Sequence, residues 1–196
     1  MVSATAALTR PVPAPPADLH RNAKRIPWKK HSPIHRVHRE KYAGDAFNSS
    51  SDGDARFSPI LNAAQKVIPT IYGGTSFECA AMETVFHEIP YVAGLKTHSK
   101  KALEPHRYSV IEPQRELNLA DLSSVALRRL GVKRAELIDT DPLCYPLTRE
   151  WSVAFHAQCP DIDHDREHAI KKHLLDDLPT YTALLDLAAV LGVNLV

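Results

Sequence analysis

Apolar and polar positions along this chain alternate in short blocks, and one block stands out. Val67 to Tyr72 is a β-branched, apolar run that reads as a buried strand. Gly73-Gly74 follows, and glycine reaches positive φ without steric cost, so a sharp turn is expected there. Thr75 and Glu78 then stand three apart, the spacing of a capping box, which predicts a helix. Tyr72 would end the strand and Glu83 would sit about two turns into the helix. Such a junction can hold an aromatic ring and a carboxylate beside one pocket. It can equally be a plain strand–helix connection with a solvated glutamate.

The remaining pattern is read in the same way. Ile34 to His38 interleaves polar and apolar residues as a short strand, and a long Gly-, Asn-, Ser- and Asp-rich loop runs from Gly44 to Asp54. Tyr91 to Leu95, Tyr108 to Ile111 and Leu117 to Leu119 read as further strands. Asp121 is a plausible N-cap for a helix from Leu122 to Leu130 with Gly131 as its stop, and Thr148 for one from Arg149 to Gln158. On the latter, Trp151, Ala154 and Phe155 share a face. Strands and short helices mix without a βαβ repeat, which predicts an α+β fold.

The ends differ from the middle. Residues 1–30 carry Pro11, Pro13, Pro15 and Pro16 and then a basic stretch, which predicts an extended, disordered leader. The globular domain is expected over 31–163. Residues 164–196 form a tail: Asp161 to His173 is densely charged, and Leu174–Leu178 and Tyr181–Leu191 are apolar and helix-prone, split by Pro179 and stopped near Gly192.

Charge and composition narrow the function classes. There are 24 Lys and Arg against 23 Asp and Glu, which argues against a dedicated nucleic-acid binder. Three widely spaced cysteines, Cys79, Cys144 and Cys159, suggest neither a disulfide framework nor a zinc site and fit a reducing cytosol. No run approaches the roughly 18 apolar residues of a membrane span, and Met1 to Leu8 lacks the pattern of a secretory signal. A cytoplasmic, soluble protein without a membrane partner is expected.

Metal chemistry finds little support. Asp161-x-Asp163-x-Asp165 begins like a calcium loop, but Arg166 and Lys172 stand where glycine and glutamate are required. His164 and His168 are four apart, as on a helix face, with no accompanying H-E-x-x-H glutamate, so a solvated face is favoured. His31, His35 and His38 read as surface or hydrogen-bonded residues. No dinucleotide fingerprint, P-loop or nucleophile elbow is present.

What remains is a dispersed set, Arg36, Arg56, Tyr72 and Glu83, whose arrangement resembles a family. His35-Arg36 on a first strand, Arg56-Phe57-Ser58-Pro59 twenty residues on, a strand ending in Tyr72-Gly73, and Glu78-x-Ala80-x-x-Glu83-Thr84 are similar to the RES domain. Asn118 to Leu122 and Tyr145 to Ser152 resemble it too, so that the likeness spans about residues 33–163. The resemblance implies a compact fold similar to that of ADP-ribosyltransferase toxins. It implies an NAD-consuming toxin of a bacterial toxin–antitoxin pair, neutralised by an antitoxin with an Xre-like helix-turn-helix domain. Typical members phosphorolyse NAD to nicotinamide and ADP-ribose phosphate; some modify a protein instead. By position, Arg36 and Arg56 would face the dinucleotide, Tyr72 the nicotinamide, and Glu83 the reacting ribose. NAD is the substrate, inorganic phosphate the co-substrate, and no metal is called for.

Those residue types suit that chemistry. Guanidinium forks bind phosphate oxygens bidentately. Cleaving the nicotinamide–ribose bond builds positive charge that a carboxylate stabilises, and a tyrosine can stack on the flat nicotinamide. Alternatively an arginine pairs with Glu83 as a structural ion pair.

The chain departs from the family after Trp151. The expected segment with glycine, aromatic and serine is absent, and no serine follows Ser152. If a strand is lost with it, the sheet has an uncovered edge and the pocket lacks a wall. Two readings stand: an NAD-cleaving enzyme, or a catalytically impaired relative that acts as a binding module. The tail either covers the exposed surface, binds a partner or is accidental.

Overall fold

A computed structural model describes residues 10–87, 89, 92–163, 168–174, 178–191 and 193–195, with the backbone alone over 168–174, 178–181 and at 195. In chain order the helices are α1 (Leu19–Asn22), α2 (Phe77–Met82), α3 (Ser124–Arg129), α4 (Arg134–Leu137), α5 (Tyr145–Gln158) and α6 (Leu178–Val190). The strands are β1 (Arg25–Trp28), β2 (Ile34–Arg39), β3 (Lys96–His98), β4 (His106–Pro113), β5 (Leu117–Ala120), β6 (His168–Leu174) and β7 (Val193–Leu195). Short helices mixed with small sheets make an α+β protein. The chain divides into two compact units, one of residues 1–28, 48–70 and 117–164, the other of 29–47, 71–116 and 165–196.

In the first unit the proline-rich segment is built into the structure from its described start. Val12 and Leu19 are fully buried in one cluster with Leu127, Leu137 and Trp151, and the Trp151 indole donates to the Pro13 carbonyl at 2.8 Å. Prolines forbid a ladder here but not burial: α1 begins after them, and β1 pairs antiparallel with β5, Arg25 opposite Ala120. The expected disordered leader is therefore corrected over residues 10–28, while 1–9 lie outside the described residues.

Two helix starts move as well. Ser123 caps α3 by accepting from the Ala126 amide, and Asp121 instead accepts from the Ser123 amide at 2.8 Å. Gly131 closes this turn at φ 72°, as expected. α5 starts at Tyr145 rather than after Thr148, whose hydroxyl donates to the Tyr145 carbonyl at 3.0 Å inside the helix. Trp151, Ala154 and Phe155 do line the core side. The aspartates that opened like a calcium loop serve structure: Asp161 pairs with Arg25 at 2.9 Å, and Asp163 accepts from the Asn118 amide at 2.6 Å. Asp165 lies outside the described residues.

In the second unit β4 is the central strand, antiparallel to β2 on one side and to β6 on the other. The tail thus supplies a strand where an uncovered edge was expected, with Lys172 opposite Ser109. His168 opens that strand, which corrects the helical reading of His164 and His168; His164 lies outside the described residues. α6 runs through Pro179, which sits in its first turn where a missing amide costs nothing. Leu184 and Ala188 on α6 are buried among Val37, Phe77, Ala81, Phe86 and Tyr108. Of the three readings of the tail, covering the core is the one seen. The strand expected at Tyr91–Leu95 is displaced to β3, which pairs in parallel with β7; Tyr91, Pro90 and Gly192 lie outside the described residues.

Candidate functional site

Three of the four expected residues belong to the second unit, and β2 organises them. Side chains alternate along a strand, so His35 and Val37 face one side and Arg36 and His38 the other. The Val37 side meets α2: Tyr108, opposite Val37, takes Phe77 edge-on at 5.0 Å. The Arg36 side meets the turn at 43–46.

Arg36 Nη1 donates to the carbonyl oxygens of Gly44 at 2.6 Å and Ala46 at 3.0 Å. Burial pushes its guanidinium below the ordinary value, and the charge of Asp45 opposes that fall. Arginine stays charged nonetheless. Among the described residues Nε and Nη2 make no hydrogen bond, and they form the side-on edge that matches two phosphate oxygens. The structural ion pair with Glu83 is not what holds Arg36; backbone carbonyls do.

Tyr72 and Glu83 both lie at the outer edge of β2. His35 and Gly74 exchange both backbone hydrogen bonds, at 2.9 and 2.7 Å, so that Tyr72 leads into the edge of β2 two residues earlier. Residues 67–72 do not form the continuous strand expected; Val67 and Thr70 make isolated bridges, to Leu61 and Asn48. Tyr72 is 48% exposed. Glu83 lies about two turns from the N-cap, as expected, but there it is the C-cap that ends the six-residue α2, and its side chain is exposed. Beside it the Thr84 hydroxyl donates to the Val37 carbonyl at 3.3 Å, tying this turn to β2.

The glycines have a different reason from the one expected. Neither Gly73 nor Gly74 has positive φ. They are needed for close approach: a Cβ at Gly73 would lie 2.5 Å from Ile34 Cγ2, and one at Gly74 2.7 Å from Cys79 Cβ and 2.8 Å from the Ala80 nitrogen. The cap also shifts by one residue, since the Ser76 hydroxyl, not Thr75, accepts from the Cys79 amide at 3.3 Å. Ser76 also bonds the Glu78 carboxylate and holds it below its usual range.

His35 and His38 are hydrogen-bonded, one of the two readings expected, but their partners escaped the reading of the sequence. His35 Nδ1 hydrogen-bonds the Tyr108 hydroxyl, with the two rings stacked at 5.8 Å. Burial pushes the His35 imidazole down and the Tyr108 phenol up; Glu78 favours the charged His35 and disfavours the charged Tyr108. His38 Nε2 lies 2.7 Å from Ser109 Oγ. The alternation of Ile34 to Arg39 signalled that these side chains point to opposite faces, but not their partners on β4, seventy residues on.

Arg56 belongs to the first unit. Its guanidinium lies over the Tyr145 ring at 5.3 Å, and its carbonyl accepts from the Thr148 hydroxyl. Its Nε is buried with no hydrogen-bond partner among the described residues. An unpaired donor on a cation is costly unless an acceptor arrives. Among the described residues no group of three His, Cys, Asp or Glu side chains could hold a metal ion, and no helix is long and apolar enough to cross a membrane.

A family model described as the RES domain matches residues 33–165, most of the chain. No curated protein and no solved structure matches it.

Proposed function

The chain belongs to the RES domain family, and on that premise we propose that it cleaves the nicotinamide–ribose bond of NAD, with inorganic phosphate as the acceptor. The observation that carries the proposal is Arg36: Nη1 is occupied by the 43–46 turn, and the Nε–Nη2 edge is left for an anion. Arg56, in the first unit, is a further guanidinium whose Nε has no hydrogen-bond partner among the described residues. A guanidinium suits a substrate that carries a pyrophosphate and a co-substrate that is itself an anion. Tyr72 supplies a face for the nicotinamide. Glu83 supplies the negative charge that favours the oxocarbenium-like ribose as the bond breaks. In the balanced step a phosphate oxygen bonds to the ribose C1 carbon as nicotinamide leaves with the electron pair of the broken bond. The products are nicotinamide and ADP-ribose phosphate.

As a member of this family the protein pairs, in this proposal, with an Xre-like antitoxin. One observation favours the second reading, a binding module with impaired catalysis: the strand beside β4, His168–Leu174, contains no serine. The deciding experiment follows NAD with the purified full chain, with and without inorganic phosphate, beside Glu83→Ala. Phosphate-dependent loss that disappears in the variant supports the enzyme. A folded protein that leaves NAD intact under both conditions overturns it in favour of the binding module.

A further inference from the structure

The buried polar pair on the Arg36 face of β2 has no part in the reaction as proposed. His38 is 6% exposed and Ser109 fully buried. Ser109 sits opposite Arg36 in the β2–β4 register, and His38 is two residues along on the same face. His38 Nδ1 lies 3.0 Å from the Arg39 carbonyl oxygen. That oxygen can only accept, so Nδ1 carries a proton. The Ser109 hydroxyl is hydrogen-bonded to Nε2 at 2.7 Å.

Above this pair lies Gly44. A Cβ there would stand 2.6 Å from Ser109 Cβ and 3.5 Å from His38 Nε2, so the backbone of the turn rests directly on the serine. The carbonyl of the same Gly44 accepts from Arg36 Nη1 at 2.6 Å. One turn is thus seated on Ser109 on one side and grips Arg36 on the other. The serine is too deeply buried to be a nucleophile, and its geometry suits it to hold the turn.

We propose that Ser109 and His38 are positioning residues for Arg36: through Gly44 they seat the 43–46 turn, and the seated turn fixes which edge of the guanidinium faces a phosphate group. The inference rests on the reading that Arg36 binds a phosphate of NAD. Losing the hydroxyl lets the turn shift, and Nη1 is then no longer held. The side-on edge becomes one orientation among several, and the ordering that the fold had supplied must be supplied at binding.

The test is a double-mutant cycle on the full chain, with NAD as the probe in titration calorimetry. Ser109→Ala is expected to weaken NAD binding by about tenfold. Combining it with Arg36→Ala should give no more loss than Arg36→Ala alone, because residues acting through one another are not additive. His38→Gln, which keeps a hydrogen-bonding group near the Nε2 position, should bind close to wild type, whereas His38→Leu should match Ser109→Ala. Unchanged binding in Ser109→Ala, or losses that simply add, would overturn the positioning role. If the wild-type chain binds no NAD, the functional reading itself fails. The seating of Arg36 is then decided by the arginine Nε–H resonance in 15N NMR, which Ser109→Ala should shift and expose to faster exchange; an unmoved signal removes the inference.

Discussion

The hydroxyl of Thr84 donates to the carbonyl oxygen of Val37 at 3.3 Å, and through this bond the turn that carries Glu83 is fastened to the edge of β2. The acceptor is a strand carbonyl on the side of β2 away from β4, the same side on which His35 pairs with Gly74. A side-chain bond therefore does at Val37 what a ladder bond does at His35. Thr84→Val keeps the shape and removes the donor. It should lower NAD turnover several-fold, in line with the roughly 1 kcal/mol of one hydrogen bond, and cost little in melting temperature. Steady-state NAD loss beside a thermal melt checks both halves.

Glu83 itself should matter far more. Its replacement by Gln preserves size and removes the charge, and a preorganised charge at the reacting centre accounts for about 100-fold or more in rate. Glu83→Gln is expected to lose that much in kcat with NAD binding nearly intact. Equal turnover by Gln and Glu would mean that the carboxylate does not serve the reacting ribose.

The first unit yields a stability prediction. Leu19 is fully buried beside Val12, Leu127 and Trp151, so Leu19→Ala should destabilise by about 2–5 kcal/mol through lost contacts and a residual cavity. Denaturant unfolding measures it directly. A change below about 0.5 kcal/mol, typical of an exposed site, would contradict the packing of residues 10–28 into this core.

Asp121 carries a pH prediction. The Ser123 amide donates to its carboxylate, the Lys24 ammonium lies 2.9 Å away, and together they hold its carboxyl at about 2, against an ordinary 3.8. A carboxyl depressed on folding contributes stability that is complete above its unfolded value and is lost as pH falls through the folded one. Stability should therefore decline between about pH 4 and pH 2 on this group's account. Asp121→Asn should be less stable at neutral pH and should show a shallower decline across that window, read by urea midpoints at several pH values.

Local chemistry made much of this fold legible. The strands at Ile34 and Tyr108 announce themselves through β-branched and aromatic residues, and the one at Leu117 through the alternation Leu117-Asn118-Leu119. α3 and its Gly131 stop are equally local, the cap being misplaced by two residues because Asp, Leu, Ser and Ser all stand at the boundary and any of three could accept the bond. The element 67–72 was misread because β-branched content predicts extended backbone but not whether a neighbouring strand is present to complete a ladder. The proline-rich segment was misread for the converse reason. Proline excludes helix and ladder, yet Val12 and Leu19 find a core that residues 127–151 supply.

The family, the α+β class and the four candidate residues could be read from residue type and order along short stretches. Only tertiary structure decided that Arg36 is held by the carbonyls of Gly44 and Ala46, that Gly73 and Gly74 answer to Ile34 and Cys79, and that the tail adds a strand to β4 and buries Leu184. The physical reason is common to all three. Each depends on which distant backbone comes within bonding or van der Waals distance, and burial and hydrogen-bond satisfaction are settled by the folded chain as a whole.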